Sequence, residues 1–489
     1  MTIQYIKPFK TPLKSRPGGG ENLSYLLWGD PVHVNDNNPP GAEWVEVMAR
    51  SWDSGYLKRA DLMDEPILEI YIIDVGQGDG VLFKTPDNKW HLLDAGTTNS
   101  RQMTGKGAAN FVRYKFIEDL RRDRVHLDNL ILTHPDLDHY GGMIDLLNGK
   151  LRGHEPFETE VVNFYHNGLG RFAQTPKLGR EVADGVIGEF PINAYPRMNK
   201  KPDFITQLLE SKADFSDNIN GFTPEFKDFA AILVEKATNI SRLSAADRFL
   251  PGYTSNNQQI QIGVLGPIVE TFNGNQRGLR KFTNDAKTVN GHSIVLRIDY
   301  GKVKILLTGD LNEDSQKLLL NYIPEAEFAV DIAKGCHHGS EDVLFDFLKK
   351  MKPKATIISS GDNESYSHPQ PQIIGASAYH GSEYKGKDGK MYPPLVYSTE
   401  LARSTGLKFP ASVRTRSGPN ANDYVTHEAF NTLIQARGED YYRTLLHVPI
   451  TTDMIYGLVS VRTDGNTVLI ATSKEQGRDF DTQILRMDD

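Results

Sequence analysis

The 489-residue chain carries 55 Lys and Arg against 63 Asp and Glu, a formal net charge of −8, and 39% of its residues are hydrophobic. This composition is typical of a globular protein of two to four domains and excludes a largely disordered chain. The acidic balance argues against a surface built for sequence-blind nucleic-acid binding, although a local basic groove remains compatible with it. The sequence holds no apolar run of about 18 residues and no signal-like N-terminus. Its single cysteine, Cys336, cannot form an internal disulfide, so we expect a cytoplasmic protein without a membrane span.

The first 65 residues are predicted to form two units. Residues 1–22 end in a glycine triplet and are expected to be a flexible lead, because consecutive glycines are uncommon inside regular elements. Residues 23–65 alternate short β-like runs with turn clusters and hold three of the four tryptophans, which predicts a small all-β module. The module resembles a bacterial SH3-like barrel, which would bind a partner or a polymer, in the spacing of Trp28-Gly29-Asp30, Trp44-Val45 and Gly55-Tyr56-Leu57. The alternative is a β-extension packed on the main domain.

Residues 66–489 are predicted to form the main domain, built from apolar strands that end in polar residues. Strand patterns occur at 67–75, 81–84, 90–94, 128–133, 161–165, 260–265, 293–299, 303–308, 331–335 and 355–359, and a hairpin near the end turns at Asp464-Gly465. Helix-like patterns occur at 101–124, 203–212 and 224–243, and after Gly141-Gly142. Residues 150–259 are the least regular and are interpreted largely as an insertion or lid.

The motif His134-x-Asp136-x-Asp138-His139 places four metal-ligating residues where a buried strand meets a helix. Imidazole and carboxylate together suit zinc, manganese or iron. Alternate side chains point in different directions, so one turn can supply two adjacent cations, as in two-metal hydrolysis. Four such groups at one strand end are costly to desolvate without a cation between them, and a solvated acidic turn is the alternative.

Three further motifs follow predicted strand ends. Asp310 can bridge two metals or cap the helix that follows it. Of the adjacent pair His337 and His338, one can ligate a metal while the other contacts substrate, with Lys334 just before them. His368 is open between a metal ligand, a substrate contact and a structural histidine.

In this combination and order, the motifs resemble the metallo-β-lactamase fold. More narrowly, they resemble the branch typified by the hydrolase domain of the ComEC competence protein and by bacterial phosphorylcholine esterases. The motifs that carry the resemblance are Asp74-Val75-Gly76-Gln77-Gly78-Asp79, Asp94-Ala95-Gly96, the run from Thr133 to Gly142, Asn290-Gly291-His292-Ser293, Leu307-Thr308-Gly309-Asp310, His337-His338-Gly339-Ser340 and His368-Pro369. The resemblance implies an α/β fold, a four-layer αβ/βα sandwich with two divalent metal ions, Zn or Mn, at one edge of two facing sheets.

The resemblance also implies residue roles. His134 and Asp136 would hold the first metal, and Asp310 would bridge to a second one held by Asp138 and His139. Asp94 would support the site from behind its ligands. The candidate metal ligands, in chain order, are His134, Asp136, Asp138, His139, His166, Asp310 and His337. Here His337 is preferred to His338 as the last ligand, and His166, which follows an apolar strand, is preferred to His292 as third ligand of the first metal.

The resulting prediction is a dinuclear-metal-dependent hydrolase, a phosphodiesterase or nuclease in which a hydroxide between the cations attacks phosphorus. Its substrate would be a nucleic acid, a nucleotide or a phospho-head-group. The basic stretches 101–124 and 277–287 would guide a phosphate chain, or would be ordinary solvated surface. The candidate catalytic residues are Asp138, Lys334, His338 and His368. The alternatives are a metal-dependent lactam, lactone or thioester hydrolase, and a non-catalytic binding scaffold.

Overall fold

The structure is a computed structural model, and it describes residues 2–49, 53–102, 107–183, 203–254, 259–361, 368–399, 412–414, 424–426, 457–473 and 479–487. Within them, no helix is both long enough and apolar enough to cross a membrane. Ser365 to Ser367, which precede His368 in the sequence motif, and Trp52 lie outside the described residues.

The N-terminal module is one seven-stranded antiparallel sheet with its own apolar core. Its strands are β1 (Thr2–Ile6), β2 (Lys10–Arg16), β3 (Gly19–Leu27), β4 (Pro31–Val34), β5 (Trp44–Ala49), β6 (Asp53–Lys58) and β7 (Leu62–Met63), in the spatial order β3-β2-β6-β5-β4-β1-β7. Leu13, Leu26, Val45 and Leu57 are buried in its core. An all-β N-terminal region is therefore present.

The expectation of a flexible lead over residues 1–22 is wrong. Residues 2–6, 10–16 and 19–22 are strand, and β2 pairs with β3 across a tight turn. The glycines serve that turn: Gly18, at φ +70°, takes the left-handed conformation that a tight connection between antiparallel strands requires.

The main domain continues with strands and helices in chain order. Its first half contains β8 (Leu68–Ile72), β9 (Gly80–Lys84), β10 (Trp90–Ala95), α1 (Ala108–Arg113), β11 (Val125–Leu132), α2 (Leu137–Asn148), β12 (Thr159–His166), β13 (Glu181–Ala183), β14 (Asp203–Ile205), α3 (Lys212–Asn218), α4 (Pro224–Lys236) and β15 (Ala237–Arg242). A π-helical turn over Tyr114–Asp119 extends α1.

The second half contains β16 (Ile260–Gly266), β17 (Glu270–Phe272), β18 (Gln276–Arg280), α5 (Asp285–Gly291), β19 (Val295–Tyr300), β20 (Val303–Leu307), α6 (Glu313–Tyr322), β21 (Ile332–Lys334), α7 (Phe345–Met351), β22 (Ala355–Ile358), α8 (Pro371–His380), β23 (Tyr384–Gly386), β24 (Met391–Tyr392), β25 (Leu395–Ser398), β26 (Ser412–Arg414), β27 (Tyr424–Thr426), β28 (Val459–Thr463), β29 (Thr467–Ser473) and β30 (Phe480–Arg486). The predicted hairpin at Asp464-Gly465 is confirmed as the β28–β29 pair.

Two large sheets make the body of this domain. The first has eleven strands in the order β15-β12-β11-β10-β9-β8-β28-β29-β30-β23-β24, and the second has six in the order β16-β19-β20-β21-β22-β25. Side chains alternate between the two faces of each strand. In β20, for example, Ile305 and Leu307 lie in the core between the sheets, whereas Leu306 faces the helices outside.

Three apolar clusters separate four layers. One cluster joins the first sheet to α1, α2 and α4, the second lies between the sheets, and the third joins the second sheet to α6, α7 and α8. This arrangement is the predicted αβ/βα sandwich, because each sheet buries one face on its partner sheet and the other on helices.

Much of the stretch 150–259 belongs to the first sheet and its apolar core, whereas an insertion or lid was expected there. β12 pairs in parallel with β11, and β15 pairs in parallel with β12, so both extend the first sheet. Phe226 and Phe229 of α4 are buried against that sheet. The helix-like pattern predicted at 203–212 is wrong, since β14 begins this stretch and α3 begins only at Lys212.

Candidate metal centre

The polar ends of parallel strands from both sheets meet at one edge of the sandwich. His134 follows β11 of the first sheet, whereas Asp310 and His338 follow β20 and β21 of the second sheet. Carboxyl ends of neighbouring parallel strands lie at the same edge, which is where open α/β sheets place their ligands. The α2 helix approaches this edge closely, because a Cβ at Gly142 would overlap the Ala95 carbonyl oxygen.

Asp310 is the centre of the cluster and is buried. Its Oδ2 atom lies 3.3 Å from Nε2 of His139 and 3.1 Å from Nε2 of His338. Nε2 of His337 is 3.8 Å away and Nε2 of His134 is 3.9 Å away. The Nε2 atoms of four imidazole rings therefore lie within 3.9 Å of a single carboxylate oxygen.

A second buried carboxylate fixes the His139 ring from behind. Nδ1–H of His139 donates to Oδ2 of Asp94 at 2.8 Å. Asp94 is itself held by Thr133, whose backbone N–H and hydroxyl donate to its two oxygens at 2.8 and 2.6 Å. Because Nδ1 carries the proton, the Nε2 lone pair of His139 is directed at Asp310.

Asp79 orients His338 in the same way. Nδ1 of His338 lies 3.2 Å from Oδ1 of Asp79 and 3.3 Å from the Ser359 carbonyl oxygen, and both partners are acceptors. The other Asp79 oxygen pairs with the buried ammonium of Lys334. In its neutral form, His338 therefore also turns the lone pair of Nε2 towards Asp310.

The chain reaches this geometry through a strained turn. His337 and His338 lie at φ +47° and +51°, and Gly339 follows at +81°. Two successive non-glycine residues in the left-handed region are uncommon and persist only where the surroundings hold them, as at functional sites.

His134 completes the pattern through hydroxyl groups. Its Nδ1 lies 3.0 Å from Oγ1 of Thr133 and 3.2 Å from Oγ of Ser293. Thr133 donates its proton to Asp94, and Ser293 donates its own to the Asn290 carbonyl oxygen, so both hydroxyls accept from His134. Nε2 of His134 is then the unprotonated nitrogen, as in His139 and His338.

The pKa values reflect how strongly these groups are coupled. Burial lowers the pKa of His134 to about 3, with the charge of His139 acting in the same direction. Burial also opposes charge on His139 and His338, but the Asp310 carboxylate outweighs it and holds the pKa of both rings well above 6.5. Despite its own burial, those rings hold the pKa of Asp310 well below its usual range. Positive charge beside Asp310 is therefore favoured, in the form of protons or of a metal ion.

The donor atoms fit a divalent cation. Nε2 of His134, His139 and His338 and Oδ1 of Asp310 are buried and have no hydrogen-bond partner among the described residues. Ligand atoms of one group all lie within 4.8 Å of one another, and its members are Asp79, His139, Asp310 and His338. Imidazole nitrogens with carboxylate oxygens suit zinc or manganese.

Comparison with known proteins accords with this geometry, since residues 73–197 match the family model described as the metallo-β-lactamase superfamily. This stretch of the chain is therefore similar to the metallo-β-lactamase superfamily. The chain is similar to ComE operon protein 3 of Bacillus subtilis strain 168, with 22% identity over 317 residues that cover 63% of this chain and 30% of that protein.

Two shorter matches concern other curated proteins. The chain is 29% identical over 86 residues to Recombination protein 2 of Haemophilus influenzae, covering 17% of this chain and 10% of that protein. It is 31% identical over 93 residues to Competence protein ComA of Neisseria gonorrhoeae, covering 19% and 13%. The chain thus spans less than a third of the length of each relative.

Similar solved structures include a metal-dependent hydrolase of the β-lactamase superfamily, with 12% identity, coverage of 68% of this chain and 95% of that one, and a TM-score of 0.31. They also include a long form of RNase Z from yeast, with 13% identity, coverage of 62% and 39%, and a TM-score of 0.29.

The structure places His338 and His337 differently from what the sequence predicts. His338, expected to be catalytic, lies in the convergent group. His337, expected to be the ligand, is partly exposed. Asp138 is half-buried at the rim, where the Gln77 amide donates to it at 3.4 Å.

His166 does not join the cluster. Its Nδ1 accepts the Gly168 backbone N–H at 3.1 Å, so the neutral ring carries its proton on Nε2 and offers no lone pair to a metal. The ring lies between Phe164 and Phe215, and burial lowers its pKa to about 3. The alternative, His292, donates from Nε2 to the Arg280 carbonyl oxygen at 2.7 Å and is also occupied.

The other two catalytic candidates lie beside the cluster. Lys334 is 1% exposed and pairs with Asp79, so it acts on the cluster through that carboxylate rather than on a substrate. His368 is buried, with its ring centre 5.8 Å from that of His337 and 6.3 Å from that of His338.

The basic stretches form ion pairs within the protein. In residues 101–124, Lys115 is buried against Asp119 at 2.6 Å. In residues 277–287, the cations Arg280, Lys281 and Lys287 each pair with a carboxylate. These stretches give little support to a basic surface that guides a phosphate chain.

Two residues at the site were not predicted from the sequence. Asp79 stands in a quoted motif, and the glycine before it was the available signal: Gly78 lies at φ +101°, and a Cβ there would overlap the Asp138 carbonyl oxygen. Arg171 had no signal. Its guanidinium pairs with Asp136, and its Nε donates to the Pro135 carbonyl oxygen at 2.8 Å.

Proposed function

We propose that this chain is a metal-dependent phosphodiesterase. The observation that carries the proposal is the convergence of the Nε2 atoms of His134, His139 and His338, each the lone-pair nitrogen of its neutral ring, on the buried carboxylate of Asp310. Matched tautomers, fixed from behind by Asp94, Asp79 and hydroxyl groups, are typical of ligands prepared for a metal.

When bound, a divalent cation supplies water of lowered pKa and stabilises negative charge on a phosphoryl oxygen. Asp94 and Asp79 hold their histidines in one tautomer and one orientation. The half-buried Asp138 carboxylate, beside the exposed Gln77, is the group proposed to accept the proton of the attacking water. The partly exposed His337 is placed to donate to substrate oxygens.

The phosphodiester assignment is supported by charge at the rim. Arg171 contributes a guanidinium whose side chain is 25% exposed beside Asp136, and a planar guanidinium matches phosphoryl oxygens. Asp136, the partner of Arg171, stands where lactam-hydrolysing branches mostly carry histidine. Relatives named for competence and recombination make nucleic acid the first substrate to test, followed by nucleotides and phospho-head-groups.

The test compares a chromogenic phosphodiester with a chromogenic lactam and a thioester, each with added manganese or zinc and with chelator. We expect phosphodiester turnover that chelator abolishes and metal restores. Turnover of the lactam or thioester alone would move the domain to the alternative class. Stoichiometric metal without turnover of any substrate would favour a binding scaffold.

Two further expectations stay predictions. Binding of a partner or polymer by the N-terminal module can be tested by pulling down candidate polymers with residues 1–65 deleted or present. A cytoplasmic location rests on the single cysteine, Cys336, which is buried and whose pKa burial raises to about 11. Fractionation of cells that express the chain would test that location.

A further inference from the structure

The position next to the Asp310 cluster is built differently from a second metal site. The family resemblance would give that position to a cation held by His134 and Asp136. Here the Oδ1 atom of Asp136 pairs with the guanidinium of Arg171. Asn290, with its amide nitrogen turned towards Asp136, donates to the Oδ2 atom at 2.9 Å. Both oxygens of the expected ligand are therefore engaged by donors from this chain.

The position also lacks a third ligand. His166 accepts a backbone N–H through Nδ1, and Nε2 of His292 donates to a carbonyl oxygen, so the Nε2 atom of neither ring offers a lone pair. Of the residues expected to surround a first metal, His134 alone presents an unengaged nitrogen. Together with Oδ1 of Asp310, which is also unengaged, this nitrogen gives the position two ligands, whereas catalytic metals in proteins usually have three protein ligands.

The loop that follows β12 is organised to deliver Arg171. Gly168 donates to His166, and the Asn167 side chain donates to the His292 carbonyl oxygen at 3.0 Å, which ties the loop to the second half of the domain. An antiparallel bridge between Phe172 and Phe222 holds the next residue. Arg171 therefore reaches Asp136 from a backbone anchored on both sides.

The charges of the fully buried residues at the site are consistent with one cation. Asp79 pairs with Lys334, and Asp136 pairs with Arg171. Among the described residues, Asp94 and Asp310 are buried carboxylates that pair with no lysine or arginine. One divalent cation neutralises their two charges, whereas a second cation would leave the buried cluster with an excess of positive charge.

We propose that the domain holds one divalent cation, between His139, Asp310 and His338, and that the Arg171 guanidinium takes the place of the second cation and binds a phosphoryl oxygen of the substrate. The first half of this proposal concerns only the chain and its metal. The second half rests on the proposed phosphodiesterase function. A guanidinium suits the role because it stays cationic, and its fork of N–H donors can serve Asp136 and an oxyanion together.

The test measures bound metal per chain by elemental analysis after loading with excess Mn²⁺ and gel filtration. We expect one Mn²⁺ per wild-type chain, with an electron paramagnetic resonance spectrum of isolated ions. Arg171→Gln removes the ion pair of Asp136 and should raise the content of bound Mn²⁺ towards two per chain, with exchange coupling between the ions. The control Arg180→Gln, at an exposed arginine nine positions later in the chain, should stay at one.

Each outcome is decisive. Two Mn²⁺ in the wild type would overturn the inference and leave the phosphodiesterase proposal standing, and so would a content of one in Arg171→Gln. Absence of bound metal would remove the proposed function itself. Should Arg171→Gln fail to fold by circular dichroism, the wild-type content still decides the first half.

The role towards substrate is tested with inorganic phosphate as an inhibitor. We expect its inhibition constant to rise at least about tenfold in Arg171→Gln, because a charge-assisted pair of N–H donors is lost. Arg171→Lys keeps the charge but not the fork, and should weaken phosphate less while the metal content stays at one. Unchanged inhibition in both variants would overturn the substrate role.

Discussion

Two buried groups of charged side chains in this protein have opposite organisation. Around Asp310, three imidazole nitrogens converge without hydrogen-bond partners among the described residues. Around Glu69, in the middle of the first sheet, the charges close on one another: Lys84 pairs with Glu69, Arg462 with Asp30, and Lys115 with Asp119.

The comparison shows how structure and ligand binding can be told apart. A buried network with three acids and three bases is already neutral, so it needs nothing from outside. A cluster of imidazole nitrogens around a carboxylate that pairs with no lysine or arginine is incomplete by itself, and it is the arrangement expected where a ligand enters.

The closed network has a structural task of its own. Arg462, on β28, reaches into the N-terminal module, where it pairs with Asp30 at 2.8 Å and donates to the Trp28 carbonyl oxygen at 2.6 Å. The second Asp30 oxygen accepts the Leu27 backbone N–H at 2.8 Å. The module is thereby joined to the main domain through buried charge, and this contact favours the packed β-extension over an independently moving barrel.

The largest effect is expected from removing the carboxylate at the centre of the open cluster. Asp310→Asn should abolish metal binding and hydrolysis, because the remaining imidazoles lose the charge that attracts a cation. Elemental analysis and turnover of the phosphodiester measure both. Asp123→Asn, at a carboxylate that is 81% exposed, serves as the matched control. Retained metal in Asp310→Asn would show that the cluster is misassigned.

The closed cluster should respond in stability instead. Glu69→Gln leaves Lys84 and Arg462 buried with less negative charge, and should cost about 3–5 kcal/mol of unfolding free energy. Metal content should not change. Denaturant unfolding measures the loss, with the half-exposed Glu160→Gln as control. A variant as stable as the wild type would mean that the network contributes nothing to the fold.

A smaller effect is expected behind the ligands. Asp94→Asn and Asp79→Asn remove the negative charge and replace one acceptor oxygen beside His139 or His338 with an amide N–H donor, and each should weaken metal affinity about 10–100-fold. Titration calorimetry with Mn²⁺ measures the affinity, and circular dichroism verifies the fold. If either variant binds metal as tightly as the wild type, that aspartate does not position its histidine.

The smallest expected effect is the pH dependence of the stability that Glu69 contributes. Burial raises the pKa of Glu69, but Lys84, Arg462 and Lys115 outweigh it and hold the pKa below its usual value. The stability that Glu69 contributes is therefore present above its unfolded pKa, about 4.3, and is lost as pH falls through the folded value. The stability difference between wild type and Glu69→Gln should narrow at acidic pH. A difference that widens on acidification would contradict the sign.

The sequence predicts the sheets and the metal motif well because both depend on local patterns. Buried strands such as β11 and β20 have sequences that are apolar runs, and the site residues His134 and Asp310 follow them within three residues. The resemblance supplies the four layers. Alternation of apolar residues is also why the terminal hairpin was found.

The sequence does not predict features that depend on contacts between residues far apart in the chain. His166 follows an apolar strand as a ligand would, but the Gly168 N–H determines its tautomer. Which of His337 and His338 joins the metal-binding group depends on a left-handed turn, and no residue type in the sequence predicts that turn. Asp79 and Arg171 act through partners far away in the chain. Residues 2–22 become strand because the rest of the module provides neighbours for pairing.

The four rings around Asp310 belong to both halves of the sandwich. His134 and His139 are carried by the first sheet, whereas Asp310, His337 and His338 are carried by the second. An ion bound among these residues would therefore link the two halves of the sandwich. Loading should slow amide exchange in strands on both sides together and raise the melting temperature, since a ligand that spans two layers is released only when they part.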